Sequence, residues 1–402
     1  MKNFVRLAAV AAIAMIGQAS WAANEDGRTF QVKNRLRIEH DDNIYEQASN
    51  EQDSLKIIEE IEFLVNLRFE QSFIGLRWRP TLVWWENRDA DDTDFHNDLD
   101  LILSHSFSPR LGISVKDTLR IAEQPDQIDR GTAVRERDDY LYNIADAQIS
   151  YLAAPGTRVE VGGRHTMLDY DRDDAETERE QYEIVAAGLN VRHELARHTT
   201  VAGELRLEET DYDLVDRGSE SQYAGVGLEH TFSPSLLGAL RGGAQSKEFN
   251  DDSIDDETSP YVDGNVTLLA SPSTRLTAGA GYSMFESAVF PYANQERTVF
   301  YLSAAYDVTA RLSLYLAGSY QLGAYEADQT ITSTEPVGVD EDGNPITIQD
   351  GDEVVTQVSA RGSWKINRSN WLELGWQYLS LDSDLRADFD RTRVELGWRT
   401  QI

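Results

Sequence analysis

The chain has no cysteine, so no disulfide framework can hold it together. Long apolar runs are missing as well. The stretch from Leu7 to Gly17 is too short to span a bilayer, and nothing later approaches the ~20 apolar residues a membrane helix needs. Bases are scarce: 37 Lys and Arg stand against 70 Asp and Glu, a formal charge of −33. That balance excludes nucleic acid as a partner, because phosphate contacts need clustered bases. The 7 histidines show no metal-ligand spacing, and there is no nucleophile-elbow pattern. No metal, cofactor or catalytic residue is therefore expected. The hydrolase alternative would need His40 or His96 to meet a loop aspartate at one rim.

The first residues have the form of a secretory signal peptide. Lys2 and Arg6 precede the short apolar stretch, and Ser20-Trp21-Ala22 offers small residues for cleavage after Ala22. The expected division is residues 1–22 as signal peptide and 23–402 as a single barrel domain. Residues 23–29 leave no room for a plug domain before the first strand.

From Phe30 onward the pattern has a period of two. Ile61, Phe63, Val65 and Leu67 alternate with Glu60, Glu62, Asn66 and Arg68. Ile74, Leu76, Trp78, Leu82 and Trp84 oppose Arg77 and Arg79, and Leu99, Leu101 and Leu103 oppose Asp98 and Asp100. Such alternation predicts strands. The connections between them alternate too. Short turns such as Ser108-Pro109-Arg110, Ala154-Pro155-Gly156 and Ser233-Pro234-Ser235 take turns with long acidic stretches such as "NRDADDTDFHND" and "VDEDGNPITIQDGDE". A soluble sandwich has no reason to alternate in this way.

The fold expected is all-β: a transmembrane antiparallel up-and-down barrel of about 18 strands, an even number as bacterial barrels require. Short turns would face the periplasm and long acidic loops the exterior. The strand from Arg391 to Ile402 would then pair with that from Phe30 to Asp41, since hydrocarbon tolerates no open sheet edge. Its outward residues Val394, Leu396, Trp398 and Ile402 look like the C-terminal assembly signal of outer-membrane barrels, with Thr400 interrupting the series and Ile402 in place of the usual aromatic.

Two sets of segments carry a resemblance. One is "RIEHDDNIYEQASNEQDSL" (Arg37 to Leu55); the other is the turn-plus-strand repeats "FSPRLGISV", "FSPSLLGAL", "SPSTRLTAGAGY" and "VTARLSLYLAGSY". Over nearly all of the chain beyond the signal peptide, the sequence resembles the "putative β-barrel porin 2" group. The resemblance implies an outer-membrane channel of a Gram-negative bacterium, often associated with exopolysaccharide operons, and brings no catalytic positions.

By parity, Arg35, Arg37, Glu60, Glu62, Arg68, Arg77, Arg79, Arg158, Arg164, Glu204, Arg206, Arg241, Arg361 and Arg393 point into the lumen. They could form a solute track, since guanidiniums bind carboxylates or phosphates with paired hydrogen bonds. Alternatively they pair with neighbouring acids and only hold the wall together. The function expected is passive passage of carbohydrate, with exopolysaccharide export as its specific form. The alternative is a non-conducting surface barrel that binds glycan or acts as an adhesin. Expected partners are outer-membrane lipid, lipopolysaccharide, the barrel-assembly machinery and a polysaccharide or oligosaccharide. The long loop after Tyr325 is expected either to fold inward as a constriction or to remain an external flap. "DEDGN" (Asp340 to Asn344) is expected to be a solvated turn, because its glycine and glutamate spacing does not fit a calcium loop.

Overall fold

A computed structural model describes residues 28–402, apart from 89–91, 124–125, 128–132, 135–137, 173–178, 214–216, 288, 331–336 and 340–344. The signal segment 1–22 and the Asp340–Asn344 turn lie outside the described residues. The first strands are β1 (Phe30–Asp41), β2 (Ser54–Arg68), β3 (Ser72–Trp85), β4 (Thr93–Ser108), β5 (Leu111–Ala122) and β6 (Tyr140–Ala154). Then come β7 (Thr157–Tyr170), β8 (Tyr182–Ala196), β9 (Thr199–Tyr212), β10 (Ser219–Ser233), β11 (Leu236–Phe249) and β12 (Glu257–Ser271). The last are β13 (Thr274–Glu286), β14 (Asn294–Asp307), β15 (Leu312–Tyr325), β16 (Gly351–Lys365), β17 (Asn370–Ser383) and β18 (Phe389–Gln401). These form one 18-stranded antiparallel sheet in which each strand pairs with the next. β1 also pairs with β18, from Lys33 opposite Gln401 to Asp41 opposite Arg393, so the ring closes without an edge. Ile402 continues the seam, its amide donating to the Val32 carbonyl at 2.9 Å.

The short turns are built by one local device. The hydroxyl of Ser108 accepts from the amides of Arg110 and Leu111, and Thr309 treats Arg311 and Leu312 in the same way. Ser233, Ser271 and the Asn367 side chain each accept from the amide two residues on. At each of these turns a side chain that mimics a backbone turn fixes the hairpin. Gly156 instead supplies a positive φ of 77°, which other residues rarely adopt.

Side-chain parity then sorts the wall. Leu205, Leu207, Val226, Leu240, Phe300 and Leu374 lie on the outer face and are exposed, as lipid contact requires. So are Val394, Leu396, Trp398 and Ile402. Thr400 shares their face, and the Trp398 indole donates to its hydroxyl at 3.0 Å and to Asn370 at 3.2 Å. The interruption at Thr400 thus satisfies an indole N–H at the turn end of the wall. Carboxylates sit on the outer face by register as well, Glu59 and Asp117 among them. Glu59 accepts from Asn34, and Asp117 from Asn143 at 2.7 Å. Each is answered by an amide on the adjacent strand, which limits the cost of placing a carboxylate there.

The strands reach further outward than the acidic stretches suggest. Thr93–Asp98 belongs to β4 and Glu208–Tyr212 to β9, although both read as loop by composition. A membrane strand needs only about 9–11 residues, whereas β4 has 16. The surplus is polar because parity alternation, and not hydropathy, carries it.

Candidate functional site, the barrel lumen

Cross-strand partners in an antiparallel ladder share a face, so the register places every predicted lumen residue. Arg35 lies opposite Glu60, Arg37 opposite Ile58, and Glu62 opposite Lys33. Arg77 and Arg79 face Asp100 and Asp98. Arg164 faces Asp146, Arg158 faces Leu152, and Arg68 faces Phe73 at the turn end. Glu204 and Arg206 lie opposite Gly225 and Tyr223, Arg241 opposite Asp263, Arg361 opposite Tyr315, and Arg393 opposite Gln377. All of them share the inner face of the barrel.

They do not form a bare cationic track. Arg77 donates to Asp100 at 2.6 Å, Arg79 donates to Asp98, and Arg164 donates to Asp146 at 2.8 Å. Arg241 lies 3.7 Å from Glu204, which also accepts from the Tyr261 hydroxyl at 2.5 Å. The Tyr261 ring crosses Gly225, where an added Cβ would lie 2.0 Å from its hydroxyl. Only glycine lets the tyrosine lie against the wall at that point. Arg206 stacks over Tyr223 at 3.6 Å.

The seam is the densest part. Arg35 donates to Glu373 at 2.7 Å and to Glu395 at 2.9 Å. Arg37 donates to Glu395 at 3.0 Å and to Glu60 at 3.3 Å. Arg361 adds a third guanidinium to Glu395 at 3.3 Å, and Arg399 lies 3.1 Å from Glu373. Four arginines therefore meet three carboxylates, while Arg393, on the same face, shows no hydrogen bond or ion pair among the described residues. Arg361 keeps 43% of its side chain exposed.

On two strands exposure falls from the turn end to the loop end, although Gln31, Asn66 and Thr267 are buried near the turns elsewhere. On β7, Arg158 is exposed, Glu160, Gly162 and Arg164 are half-buried, and Thr166, Leu168 and Tyr170 are buried. β15 repeats the gradient from exposed Tyr315 to buried Gln321 and Tyr325. Loops cause it by folding over the outer mouth. Ile44, after β1, is buried against the lumen-facing Ile58, Val83 and Trp85. The β13–β14 loop, 287–293, packs Val289 and Tyr292 against Tyr325, Val337 and Leu385. Tyr292 donates its hydroxyl to the Gln349 carbonyl at 2.5 Å. Arg217, between β9 and β10, is fully buried and donates to the carbonyls of Ser287 at 2.9 Å and Tyr292 at 3.3 Å.

For the loop after Tyr325 the sequence leaves an inward constriction and an external flap open. Its described parts pack on Tyr292 of the short segment 287–293, which does not stand out in sequence. Inward-facing Tyr140, Tyr142, Tyr170 and Tyr182 form a further buried cluster that the charge pattern did not flag. His40 and His96 do approach Asp53 and Asp94, at 3.4 and 4.0 Å. By register, however, His40 is on the outer face and His96 on the inner one, so they share no site. No group of three or more candidate metal ligands occurs among the described residues.

The profile of the family described as "Putative beta-barrel porin 2" matches residues 29–402. The chain belongs to that family. This barrel porin therefore resides in the outer membrane. Its fold is similar to OccAB4 of Acinetobacter baumannii, with a TM-score of 0.50 and 11% identity over 93% of this chain and 99% of that one. The outer membrane protein OpdK of Pseudomonas aeruginosa gives a TM-score of 0.49 and 12% identity, over 93% and 99%. No curated protein matches the porin's sequence.

Proposed function

We propose that this porin is a passive, non-enzymatic channel for carbohydrate, with an exported exopolysaccharide as its cargo. The short turns face the periplasm, and the lumen residues from Arg35 to Arg393 line the path. Val394, Leu396, Trp398 and Ile402 serve as the signal read by the barrel-assembly machinery, and the outer loops meet lipopolysaccharide. One observation carries this reading. On β7 and β16 the charged and polar inner-face residues of the turn-side half, among them Glu160, Arg164, Gln357 and Ser363, stay half-exposed, which supports a wet wall in a barrel wide enough for a channel. Reconstitution into planar bilayers tests it, with steady conductance steps expected.

The covered outer mouth favours a second reading, a silent barrel that binds glycan at its surface. That barrel would give no current steps but would be retained on a glycan column. Silence in the bilayer together with retention would replace the channel by the binder.

A further inference from the structure

We propose that the seam of the lumen is a recognition site for carboxylate-bearing sugars, with Arg361 and Arg393 as its open donors. The proposal rests on the channel reading and names its solute class. Arg35 and Arg37 are already committed to Glu60, Glu373 and Glu395 at 2.7–3.3 Å. Arg361 reaches only a carboxylate that those two already hold, and its side chain remains 43% exposed. Arg393 faces the lumen from the neighbourhood of Lys56 and Asp41, yet bonds to neither. Two guanidiniums with spare donors therefore face the half-exposed part of the lumen, one strand (β17) apart. A planar guanidinium is matched to carboxylate by two parallel hydrogen bonds, and both partners lose less to solvation inside a narrow polar lumen than in bulk water.

The wall half a turn away has a different character. There Glu204 and Tyr261 are joined, with Tyr261 half-buried against Gly225 and Arg206 tied up over Tyr223. Its spare groups are an aromatic face and hydroxyl acceptors, which suit sugar rings and not free anions. A glycan that passes with its acid groups toward β16–β18 and its ring faces toward β9–β12 satisfies both sides. A neutral sugar leaves the seam arginines unanswered, and a simple anion leaves the tyrosine wall unused.

The test uses the full chain in planar bilayers, with galacturonate and galactose added on the turn side at equal concentration. Galacturonate is expected to block the current at lower concentration than galactose. Replacing Arg361→Ser with Arg393→Ser should raise the half-blocking concentration of galacturonate about tenfold, a loss typical of a charge-assisted contact, while leaving that of galactose in place. Arg110→Ser with Arg311→Ser removes the same charge from the periplasmic turns and should leave the preference for the acid intact. Equal block by the two sugars in the unaltered protein overturns the proposal, whatever the variants do. So does a preference that survives loss of both seam arginines. In either case current steps leave the channel standing, whereas their absence removes the channel and the site together.

Discussion

Just beyond the outer end of β5, Glu123 accepts from Arg88 at 2.9 Å while Arg88 also holds Asp94, a side chain with no exposure. Burial, then its hydrogen bond with Asp94 and that group's charge, pushes the Glu123 carboxyl up to about 8. The pair thus keeps one proton near neutrality. A raised folded value means that the native state holds a proton the unfolded chain has released. The resulting stability is full below the ordinary glutamate value of 4.5 and is lost as pH rises toward 8. Unfolding should therefore become easier by up to about 1.4 kcal/mol per pH unit in that window. Melting curves of the unaltered protein and Glu123→Gln between pH 5 and 8.5 check this. The variant should lose most of the slope, and parallel slopes would show that the rim acids do not share a proton.

The seam of β1 with β18 joins the two most distant parts of the chain, and its stability depends on one buried carboxylate. Glu395 is 4% exposed and collects Arg35, Arg37 and Arg361. Above it Asp41 accepts from Arg391 at 2.6 and 3.0 Å, and Glu46 takes the remaining guanidinium nitrogen at 2.7 Å. Glu395→Gln keeps the volume but removes the charge that Arg35, Arg37 and Arg361 share; Arg35 keeps Glu373 and Arg37 keeps Glu60, while Arg361 loses its carboxylate, at a cost of about 3 kcal/mol. Glu62→Gln removes only the Lys33 partner in a wetter position and should cost less than about 1 kcal/mol. The temperature at which the folded band disappears on a gel should fall clearly for Glu395→Gln alone. The seam pairing itself was legible in sequence, because over their paired stretch both terminal strands keep a period of two, broken on the outer face only at Asn34, His40 and Thr400, and hydrocarbon forbids an open edge. Parity likewise placed Arg77, Arg79 and Arg393 on the inner face. It could not show that Asp100 and Asp98 claim the first two while Arg393 has no ion pair among the described residues, since ion pairing depends on rotamer and register, and these do not follow from a period of two.

At the scale of the whole barrel, apolar loop residues cover the loop end of the lumen, Ile44 on one side and Val289, Tyr292 and Leu385 on another. Apart from the loop after Tyr325, that cover escaped sequence reading for a physical reason. A loop that folds inward exchanges exposed polar residues for a few buried apolar ones; Ile44 and Leu385 are isolated in acidic segments, and Val289 lies in the run "AVFPYA", too short to carry a periodic signal. What holds the inward fold is a small set of cross-loop bonds, of which Arg217 is the centre. Its guanidinium stacks on Tyr212 at 4.4 Å, donates to two carbonyls of the 287–293 loop, and donates to the Arg179 carbonyl at 3.3 Å. One side chain thus ties three connections across the mouth. Arg217→Ala leaves those carbonyls without their donor and opens space beneath Phe290, so the loop should detach from the rim while the strands stay paired. Single-channel recordings should then show mean current several-fold above that of the unaltered barrel. Tyr292→Phe, which loses only the bond to Gln349, should give a smaller rise. If Arg217→Ala folds to the same heat-resistant band and conducts as before, the loops cover the mouth without restricting flow, and the resistance of this channel must lie in the seam.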